Sequence, residues 1–335
     1  MKKAAKILLS IIGLSAIAYW LGPAPEPLQL SSTLPAVPTD LHRLDQYVKD
    51  KESRFSIRPD NEARIVWADS TKQKTEYAFL YLHGFSASQG EASPVHTNIA
   101  KKFGANLYLA RYAGHGIDES TQLEGFTAQK AWWDVQEALQ ITRKLGKKVI
   151  IMSTSTGGTF ALTLAARYPQ YIHALINLSP NIKLYSSTAQ LLNNPWGLQL
   201  AKTLIGDYRY INQQENQAYR YWDSLYTVKA LVELEHLVEE TMHPQTLSEV
   251  SCPVLTLFYK KDEQHYDRVI DISAIPEAHA AFQTPDSLHV YKALPEPGNH
   301  VLASPIKSKN TDVVEKAITN FCVEKLGMSI ELTSQ

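Results

Sequence analysis

Short apolar runs alternate with helical patterns along most of this chain, and this alternation constrains the fold more than any other feature. The candidate strands cover residues 64–67, 77–83, 106–111, 149–152, 174–178, 254–259 and 288–293. The candidate helices cover residues 127–145, 157–167 and 311–325, with a shorter one beginning at Asp40. Apolar strands that are separated by helices form mostly parallel sheets with helices packed on both faces. The right-handed crossover rule therefore predicts a doubly wound α/β sheet.

One long interval breaks this alternation. Residues 181–250 separate the strand at 174–178 from the strand at 254–259, and they contain helical patterns with many aromatic side chains. Reactive groups in doubly wound sheets lie just beyond the carboxyl ends of strands. An insertion of this length at such an end predicts a helical cap over the site. Its aromatic residues and leucines fit either an apolar pocket for an acyl chain or the cap's own core.

A serine lies at the junction between an apolar strand and a helix of small residues. Ser155 stands in the run from Ser153 to Gly157, which is the context of a nucleophile elbow. The turn is tight, so the residues two before and two after the nucleophile have to be small. Ser153 is small, although the usual pattern has glycine there. The run predicts Ser155 as the nucleophile, while a Ser/Thr-rich turn that caps a helix would also fit this motif taken alone.

A second motif, His83-Gly84-Phe85, ends the strand at 77–83. Acyl transfer builds negative charge on the former carbonyl oxygen, and two backbone N–H groups aimed at that oxygen supply much of the rate. We predict that Phe85 and Thr156 provide these N–H groups, with Gly84 allowing a close approach of the backbone. The position of His83 at a strand end favours a structural role, in which it holds the loop by a hydrogen bond.

The remaining catalytic groups are predicted after the last two strands. His300 lies on a loop rich in turn residues, and its imidazole suits a general base near neutral pH. Asp262 follows the preceding strand by three residues, where its carboxylate can accept the imidazole N–H. Glu263 and Asp267 are close rivals. The order Ser155, Asp262, His300, with each residue after a separate strand, is the order expected for such a triad.

These motifs together resemble the α/β-hydrolase superfamily, in the branch of monoacylglycerol-lipase-like and serine-aminopeptidase-like hydrolases. The resemblance covers roughly residues 63–325 and rests on the elbow and on five further stretches: His83–Ser86, Arg111–Gly116, Trp133–Val135, Pro253–Asp262 and Gly298–His300. It implies the α/β-hydrolase fold, with a helical cap inserted after the sixth strand, and a structural role for the loop of His115. Ser153 and the cap depart from the family's pattern, and the cap leaves the substrate open.

The predicted reaction is cleavage of a carboxylic ester, an acyl or lipid-like ester, through an acyl-enzyme on Ser155. The same triad also serves serine peptidases and thioesterases. An aminopeptidase would need a carboxylate for the substrate's free amine, and Glu215, Glu233 or Glu235 in the cap could supply it. A membrane-tethered binding module without chemistry is the alternative from another class. No cofactor or metal is predicted, because the sequence has no dinucleotide-binding glycine pattern and no zinc-ligand spacing.

The N-terminus predicts export. Lysines at positions 2, 3 and 6 precede an apolar run that ends at Leu21, as in a signal peptide or an uncleaved anchor. Both readings place the domain on the non-cytoplasmic side, either anchored in the membrane or secreted or periplasmic after cleavage. Residues 22–39 are rich in proline and predict an extended, semi-rigid linker that holds the domain away from a bilayer. Residues 40–335 then form the hydrolase domain, with the cap at about 181–250.

Charge and cysteine content narrow the possible partners. The formal net charge is −1 at pH 7 and there is no basic cluster, so nucleic acid is not an expected partner. A small-molecule ester or acyl substrate and, through the N-terminal segment, a membrane are expected. Cys252 and Cys322 are expected to be two separate thiols, although a pair could form in an oxidising compartment.

Overall fold

A seven-stranded sheet forms the centre of the computed structural model, which describes residues 2–118, 122–214 and 217–331. The strands are β1 (Arg64–Val66), β2 (Thr75–Leu82), β3 (Asn106–Leu109), β4 (Gly146–Thr154), β5 (Ala174–Leu178), β6 (Tyr208–Tyr210), β7 (Leu225–Thr227), β8 (Val254–Tyr259) and β9 (His289–Leu294). The main sheet has the order β1-β3-β2-β4-β5-β8-β9, and β6 pairs with β7 apart from it. All neighbours in the main sheet are parallel except β1, which runs antiparallel to β3 at one edge.

Helices cover both faces of this sheet, as predicted. They are α1 (Lys2–Trp20), α2 (Leu41–Glu52), α3 (Val95–Lys102), α4 (Ala128–Leu145), α5 (Thr156–Arg167), α6 (Gly197–Ile205), α7 (Ala218–Tyr221), α8 (Val228–Thr241), α9 (Pro244–Ser248), α10 (Ala274–Ala281) and α11 (Asp312–Glu324). Short 3₁₀ helices cover Gln89–Ala92, Pro169–Tyr171 and Ala189–Asn193. The doubly wound prediction is therefore confirmed, while α3 and α10 were not predicted.

Alternate residues of the central strands bury their side chains in two separate apolar layers. On β2, Leu80 and Leu82 join the layer that contains Trp132 of α4. Phe79 and Tyr81 join the opposite layer, which includes side chains of α3 and α11. Each fully buried side chain of this size contributes about 1.5–3 kcal/mol relative to exposure. Burial on both faces explains why these strands are apolar throughout, and it fixes the positions of the strand ends that carry the site.

The cap lies between β5 and β8. It consists of the 3₁₀ helix Ala189–Asn193, the helices α6 to α9 and the β6–β7 hairpin. These elements lie within the interval 181–250 that was predicted to form the cap. The cap follows the fifth strand of the chain and not the sixth, because only five strands precede residue 181.

The proline-rich segment from residue 22 to 39 has no helix or strand, and it lies along the folded domain. Gln29 exchanges two hydrogen bonds with Gln129 of α4, at 2.8 and 3.0 Å. His236 of α8 is joined through Nε2 to the carbonyl of Glu26 at 2.7 Å. The segment from residue 22 to 39 therefore connects α1 to both the sheet domain and the cap at short range, and it does not project as a spacer.

Candidate active site

Ser155 occupies a strained turn between β4 and α5. Its φ of 52° and ψ of −118° lie in a region that side-chain-bearing residues rarely adopt, at a cost of order 1–3 kcal/mol. Three backbone hydrogen bonds hold this conformation. The Ser155 N–H donates to the carbonyl of Leu178 at 3.0 Å, and the Ser155 carbonyl accepts from Gly158 and Asn181 at 2.8 and 2.9 Å. The end of β5 thus supports the turn from the side.

Close packing explains the small residues around this serine. A Cβ atom on Gly157 would lie 2.0 Å from the carbonyl oxygen of Leu82, so only glycine fits there. Ser153, which replaces the usual glycine, donates a hydrogen bond through Oγ to Oδ1 of Asn177 on β5 at 2.8 Å. The departure from the family's pattern is therefore accommodated by a buried polar partner on the neighbouring strand.

His300 follows β9 and is held by two hydrogen bonds. Its Nδ1 lies 2.6 Å from Oδ2 of Asp267, a carboxylate with no exposed side-chain surface. Its backbone carbonyl accepts from Ser179 Oγ at 2.8 Å, which ties the histidine loop to the end of β5. The other oxygen of Asp267 accepts from the Val269 N–H at 2.8 Å. The orientation of the imidazole is therefore set by a buried and itself well-held carboxylate.

The prediction that Asp262 orients His300 is wrong. The Asp262 side chain is about half exposed and accepts from the backbone N–H groups of Gln264 and His265, at 2.9 and 2.8 Å. It also lies 2.8 Å from Nδ1 of His265. Asp262 thus stabilises the turn just after β8, and the predicted rival Asp267 is the partner of His300.

The shape of the loop after β8 explains this correction. A β-bridge pairs Lys260 with Tyr266, so the intervening residues form a small exposed turn. Asp267 follows the bridge, and its N–H donates to the carbonyl of Tyr259 at the strand end. Glu263, the other rival, lies in the turn and pairs with Lys260 on the surface. The number of residues between β8 and a carboxylate therefore did not indicate which carboxylate lies next to His300.

The pKa values of the pair favour an ion-paired histidine. Burial by itself lowers the pKa of His300, but the charge and hydrogen bond of Asp267, with a smaller effect of Glu91, hold it above the ordinary histidine value. Burial likewise tends to raise the pKa of Asp267, yet His300 and the backbone N–H groups keep it below the usual value. A proton taken up by His300 is therefore stabilised by an ionised carboxylate.

The loop after β2 lies directly against Ser155. A Cβ atom on Gly84 would lie 3.0 Å from Cβ of Ser155. The ring of Phe85 packs edge-on against Phe126 at 5.5 Å and Tyr226 of the cap at 5.4 Å, which anchors this backbone. Within the described residues the Phe85 N–H has no hydrogen-bond acceptor.

The second predicted N–H group belongs to Thr156, the first residue of α5. N–H groups in the first turn of a helix have no acceptor within the helix. They lie at the positive end of the helix dipole, where negative charge is stabilised. Thr156 and Phe85 are therefore suited to bind one developing oxyanion between them.

Glu91 is a buried carboxylate beside these groups, and sequence reasoning missed it. Its Oε2 accepts from the Gly84 N–H at 2.6 Å and lies 3.5 Å from the Tyr81 hydroxyl. Burial raises the pKa of Glu91 to about 7, although the Gly84 N–H and His300 act in the opposite direction. A single glutamate in a loop has no distinctive pattern, so the sequence held no signal for it.

His83 and His115 are buried structural residues. Nδ1 of His83 lies 2.8 Å from the carbonyl of Gly84, and its ring stacks on Tyr112 with centroids 4.0 Å apart. Burial lowers the pKa of His83 to about 3 and that of His115 well below the ordinary value. The prediction that His83 holds the loop by a hydrogen bond is confirmed.

Of the carboxylates considered for an aminopeptidase, the two that the structure describes, Glu233 and Glu235, do not converge on Ser155. Glu215 lies outside the described residues. Glu233 accepts from the Ala128 N–H at 3.0 Å and so caps the start of α4. Glu235 lines a cavity of about 600 Å³ between α8 and α10, whose lining includes neither Ser155 nor His300.

The two cysteines are separate thiols, as expected. Both Cys252 and Cys322 are free, with Cys252 half-buried and Cys322 fully buried. They belong to opposite apolar layers of the sheet, so no movement of a side chain alone would join them.

Comparison with known proteins gives one consistent picture. The family described as "Serine aminopeptidase, S33" matches residues 73–257, which is more than half of the chain. The human serine hydrolase BPHL is 25% identical over 215 residues, covering 62% of this chain and 67% of that protein.

Solved structures share the fold at low sequence identity. A structure of the metagenome-derived lipolytic enzymes LipS and LipT has a TM-score of 0.65 at 14% identity, over 80% of this chain and 99% of that one. The monoacylglycerol lipase of Paleococcus ferrophilus has a TM-score of 0.57 at 12% identity, over 79% and 99%. Together with the family match, the doubly wound sheet and the cap between β5 and β8, these findings show that the chain belongs to the serine aminopeptidase S33 family of α/β-hydrolases.

Proposed function

We propose that this protein hydrolyses carboxylic esters through an acyl-enzyme on Ser155, with His300 as general base and Asp267 as the carboxylate that orients it. The observation that carries this proposal is the 2.6 Å contact between His300 and a fully buried Asp267, together with a serine held in a strained turn at the end of β4. A binding module has no need of a strained serine together with an oriented histidine, because neither contributes to adhesion.

The chemistry follows from the roles of these groups. His300 removes the hydroxyl proton as Ser155 Oγ forms a bond to the ester carbonyl carbon, and the carbonyl electron pair moves onto oxygen. The N–H groups of Phe85 and Thr156 stabilise that oxyanion. The oxyanion then collapses, the bond to the alkoxy oxygen breaks, and His300 protonates the departing alcohol. A water molecule activated by His300 releases the acid by the same steps.

An ester substrate is favoured over a peptide substrate. Recognition of a free amine requires a carboxylate that is available at the site. Glu233 and Glu235 are engaged elsewhere, and Glu91 accepts a hydrogen bond from the Gly84 N–H. Solved structures that share the fold include lipolytic enzymes and a monoacylglycerol lipase. We therefore propose an acyl or lipid-like ester as the substrate class.

We further propose that α1 is an uncleaved membrane anchor and that the catalytic domain is on the non-cytoplasmic side. The apolar side chains of α1 are exposed, for example Leu14 at 68% and Leu9 at 68%. Its 19 residues span about 28 Å at 1.5 Å per residue, close to the thickness of a bilayer's hydrocarbon core. The lysines at positions 2, 3 and 6, at the start of α1, favour a cytoplasmic N-terminus.

Labelling with a fluorophosphonate probe tests the proposed chemistry. The full chain in detergent is compared with S155A, D267N and the matched control D262N, and hydrolysis of esters of increasing acyl length is measured alongside. We expect strong labelling of the parent and of D262N, weak labelling of D267N and none of S155A. Labelling of S155A equal to the parent, or no labelling of a folded parent, would contradict the proposal.

A further inference from the structure

The cap carries an exposed apolar stripe along one side of α6. Trp196, Leu200 and Leu204 recur at intervals of four residues and are 40%, 56% and 81% exposed. Residues four apart lie on the same face of a helix. Gly197 and Ala201 are buried on the other face. α6 therefore turns its small residues toward the protein and its large apolar residues toward the surroundings, which is the reverse of an ordinary surface helix.

Neighbouring elements extend this stripe. The 3₁₀ helix Ala189–Asn193 and strand β6 both pack beside α6. We define the cap apolar surface as the exposed apolar residues of these three elements: Leu191, Trp196, Leu200, Leu204, Ile205, Tyr208 and Tyr210. Large contiguous apolar patches on a folded domain are uncommon and mark contact with a partner or a membrane.

The cap apolar surface begins where α1 ends. The indole N–H of Trp196 donates to the carbonyl of Ala18 at 3.1 Å, and its backbone N–H donates to the carbonyl of Pro23 at 2.9 Å. A Cβ atom on Gly22 would lie 2.0 Å from the indole ring. Trp196 therefore lies at the level of the last turn of α1, which is the level of the membrane interface if α1 spans the bilayer.

The segment that follows α1 is short and attached to the folded domain, so the cap stays close to the end of α1. Its contacts with the folded domain begin at Pro23 and continue at Glu26 and Gln29. The connection between the anchor and the cap is thus a few residues long and is hydrogen-bonded to the cap at Pro23 and Glu26. The cap is the part of the hydrolase that is closest to the exit point of the anchor.

The polar composition around the surface favours a lipid interface over a protein partner. Tyrosine and tryptophan, with an apolar ring and one polar group, are enriched at the boundary between headgroups and hydrocarbon. Arg209 lies on β6 between two of the tyrosines. Lys202 on α6 pairs with Asp207 at 2.9 Å. Long basic side chains at such a boundary keep their charge in water while their stems cover apolar surface.

We propose that the cap apolar surface docks on the same bilayer that holds α1. The inference rests on the proposed anchoring of α1 but not on the proposed chemistry of Ser155. Docking would place the cap of the hydrolase in contact with lipid, so that an acyl substrate dissolved in the membrane reaches the cap without crossing bulk water.

A fluorophore on the surface tests this directly. The full chain carrying Leu204→Cys is labelled with an environment-sensitive NBD probe and reconstituted in phosphatidylcholine–phosphatidylglycerol vesicles. The matched control is Tyr291→Cys on β9, a 48% exposed aromatic position outside the cap. Cys322 is buried and Cys252 half-buried, so labelling of the parent gives the background. We expect the probe at position 204 to be quenched by brominated lipids and shielded from iodide, and the probe at 291 to behave oppositely.

The outcomes separate this inference from the proposed function. Equal iodide quenching at positions 204 and 291, with the protein still retained in vesicles after alkaline carbonate extraction, would overturn docking while leaving the anchor in place. Release of the protein by carbonate would overturn both the anchor and the docking. Lipid quenching at position 204 together with a failure of Ser155 to react with fluorophosphonate would support docking and refute the chemistry alone.

An activity measurement gives an independent check. The variant L200D/L204D changes only exposed positions of α6, and fluorophosphonate labelling of it in detergent verifies its fold. We expect hydrolysis of a vesicle-embedded acyl ester to fall about tenfold or more, because two leucine side chains lose their burial in the interface. Hydrolysis of a soluble short-chain ester should be unchanged. An equal loss on both substrates would count against docking.

Discussion

The edge of the sheet that carries the candidate site and the outer face of the cap differ in whether their side chains have partners within the protein. At the edge, Asp267 and Glu91 are buried and each accepts a short hydrogen bond from a neighbouring group. On the cap, Leu200 and Leu204 are 56% and 81% exposed. The side chains of the first region thus have their partners in the isolated protein, whereas the exposed leucines of the second would be covered only by docking on a membrane. Substitutions at the edge should therefore affect chemistry in every medium, and those on the cap only where a membrane is present.

Removal of the nucleophile should have the largest effect. We expect Ser155→Ala to lower kcat by about 10⁴- to 10⁶-fold, because the attacking oxygen is lost while the rest of the site remains. Steady-state hydrolysis of a soluble ester measures this, and thermal unfolding serves as the control for fold. A loss smaller than tenfold would show that another residue performs the attack.

Substitution of Asp267, which takes the place of Asp262 as the partner of His300, should have the second largest effect. Asp267→Asn should lower kcat by about 10⁴-fold, because the imidazole loses both its orientation and its counter-charge. Asp267 raises the pKa of His300, and the base must be unprotonated to act. The acid limb of the pH–rate profile should therefore move to lower pH in the variant. Asp262→Asn should leave kcat within about threefold, because it disturbs only an exposed turn. A larger effect at Asp262 than at Asp267 would reverse this assignment.

Substitution of Glu91 should lower kcat by an intermediate amount. We expect Glu91→Gln to lower kcat by about 10- to 100-fold, because the hydrogen bond that fixes Gly84 beside Ser155 is weakened. Glu91 also raises the pKa of His300 when it is ionised, but burial raises the pKa of Glu91 itself to about 7, so its charge acts mainly above that pH. The acid limb should therefore move to lower pH only slightly, by less than in the Asp267 variant. The pH–rate profile distinguishes this from a purely structural loss. Glu263→Gln, at an exposed surface pair, is the matched control, and an unchanged profile for Glu91→Gln would remove the residue from the site.

The smallest effect is expected on the cap. Leu204→Ser should change the free energy of unfolding in detergent by less than about 0.5 kcal/mol, because the side chain is 81% exposed. Trp132→Ala, in the layer under β2, should cost about 3–5 kcal/mol through cavity formation. Chemical denaturation of both variants measures the contrast. A large loss for Leu204→Ser would mean that the stripe is packed against protein in solution.

Regular elements and tight turns were predictable from the sequence because their causes are local. The strand predicted at 174–178 matches β5, the one at 77–83 overlaps most of β2, and the one at 149–152 covers the centre of β4, since a strand buried on both faces must be apolar throughout. The elbow at Ser155 was predictable because the steric limits of its turn act over a few neighbouring residues. The small residue required at Gly157 is explained by its contact with Leu82.

The roles of individual loop residues could be read only from the tertiary structure. Asp262 and Asp267 are both acidic residues shortly after β8, and only the bridge between Lys260 and Tyr266 determines which one returns to the sheet edge. The role of Glu91 depends on how the loop after β2 folds back onto Gly84, which no periodic pattern encodes.

The sequence by itself determined the alternation of the main-sheet strands with the larger helices, the tight turn at Ser155, the position of His300 after the last strand and an apolar N-terminal helix. Each of these follows from the spacing of apolar residues or from steric limits within a short stretch of chain. Only the tertiary structure decided the partner of His300, the buried carboxylate beside Gly84 and the direction in which α6 presents its leucines. Those features depend on contacts between residues far apart in the chain, and the same amphipathic helix pattern fits a helix that faces its own core or one that faces a membrane.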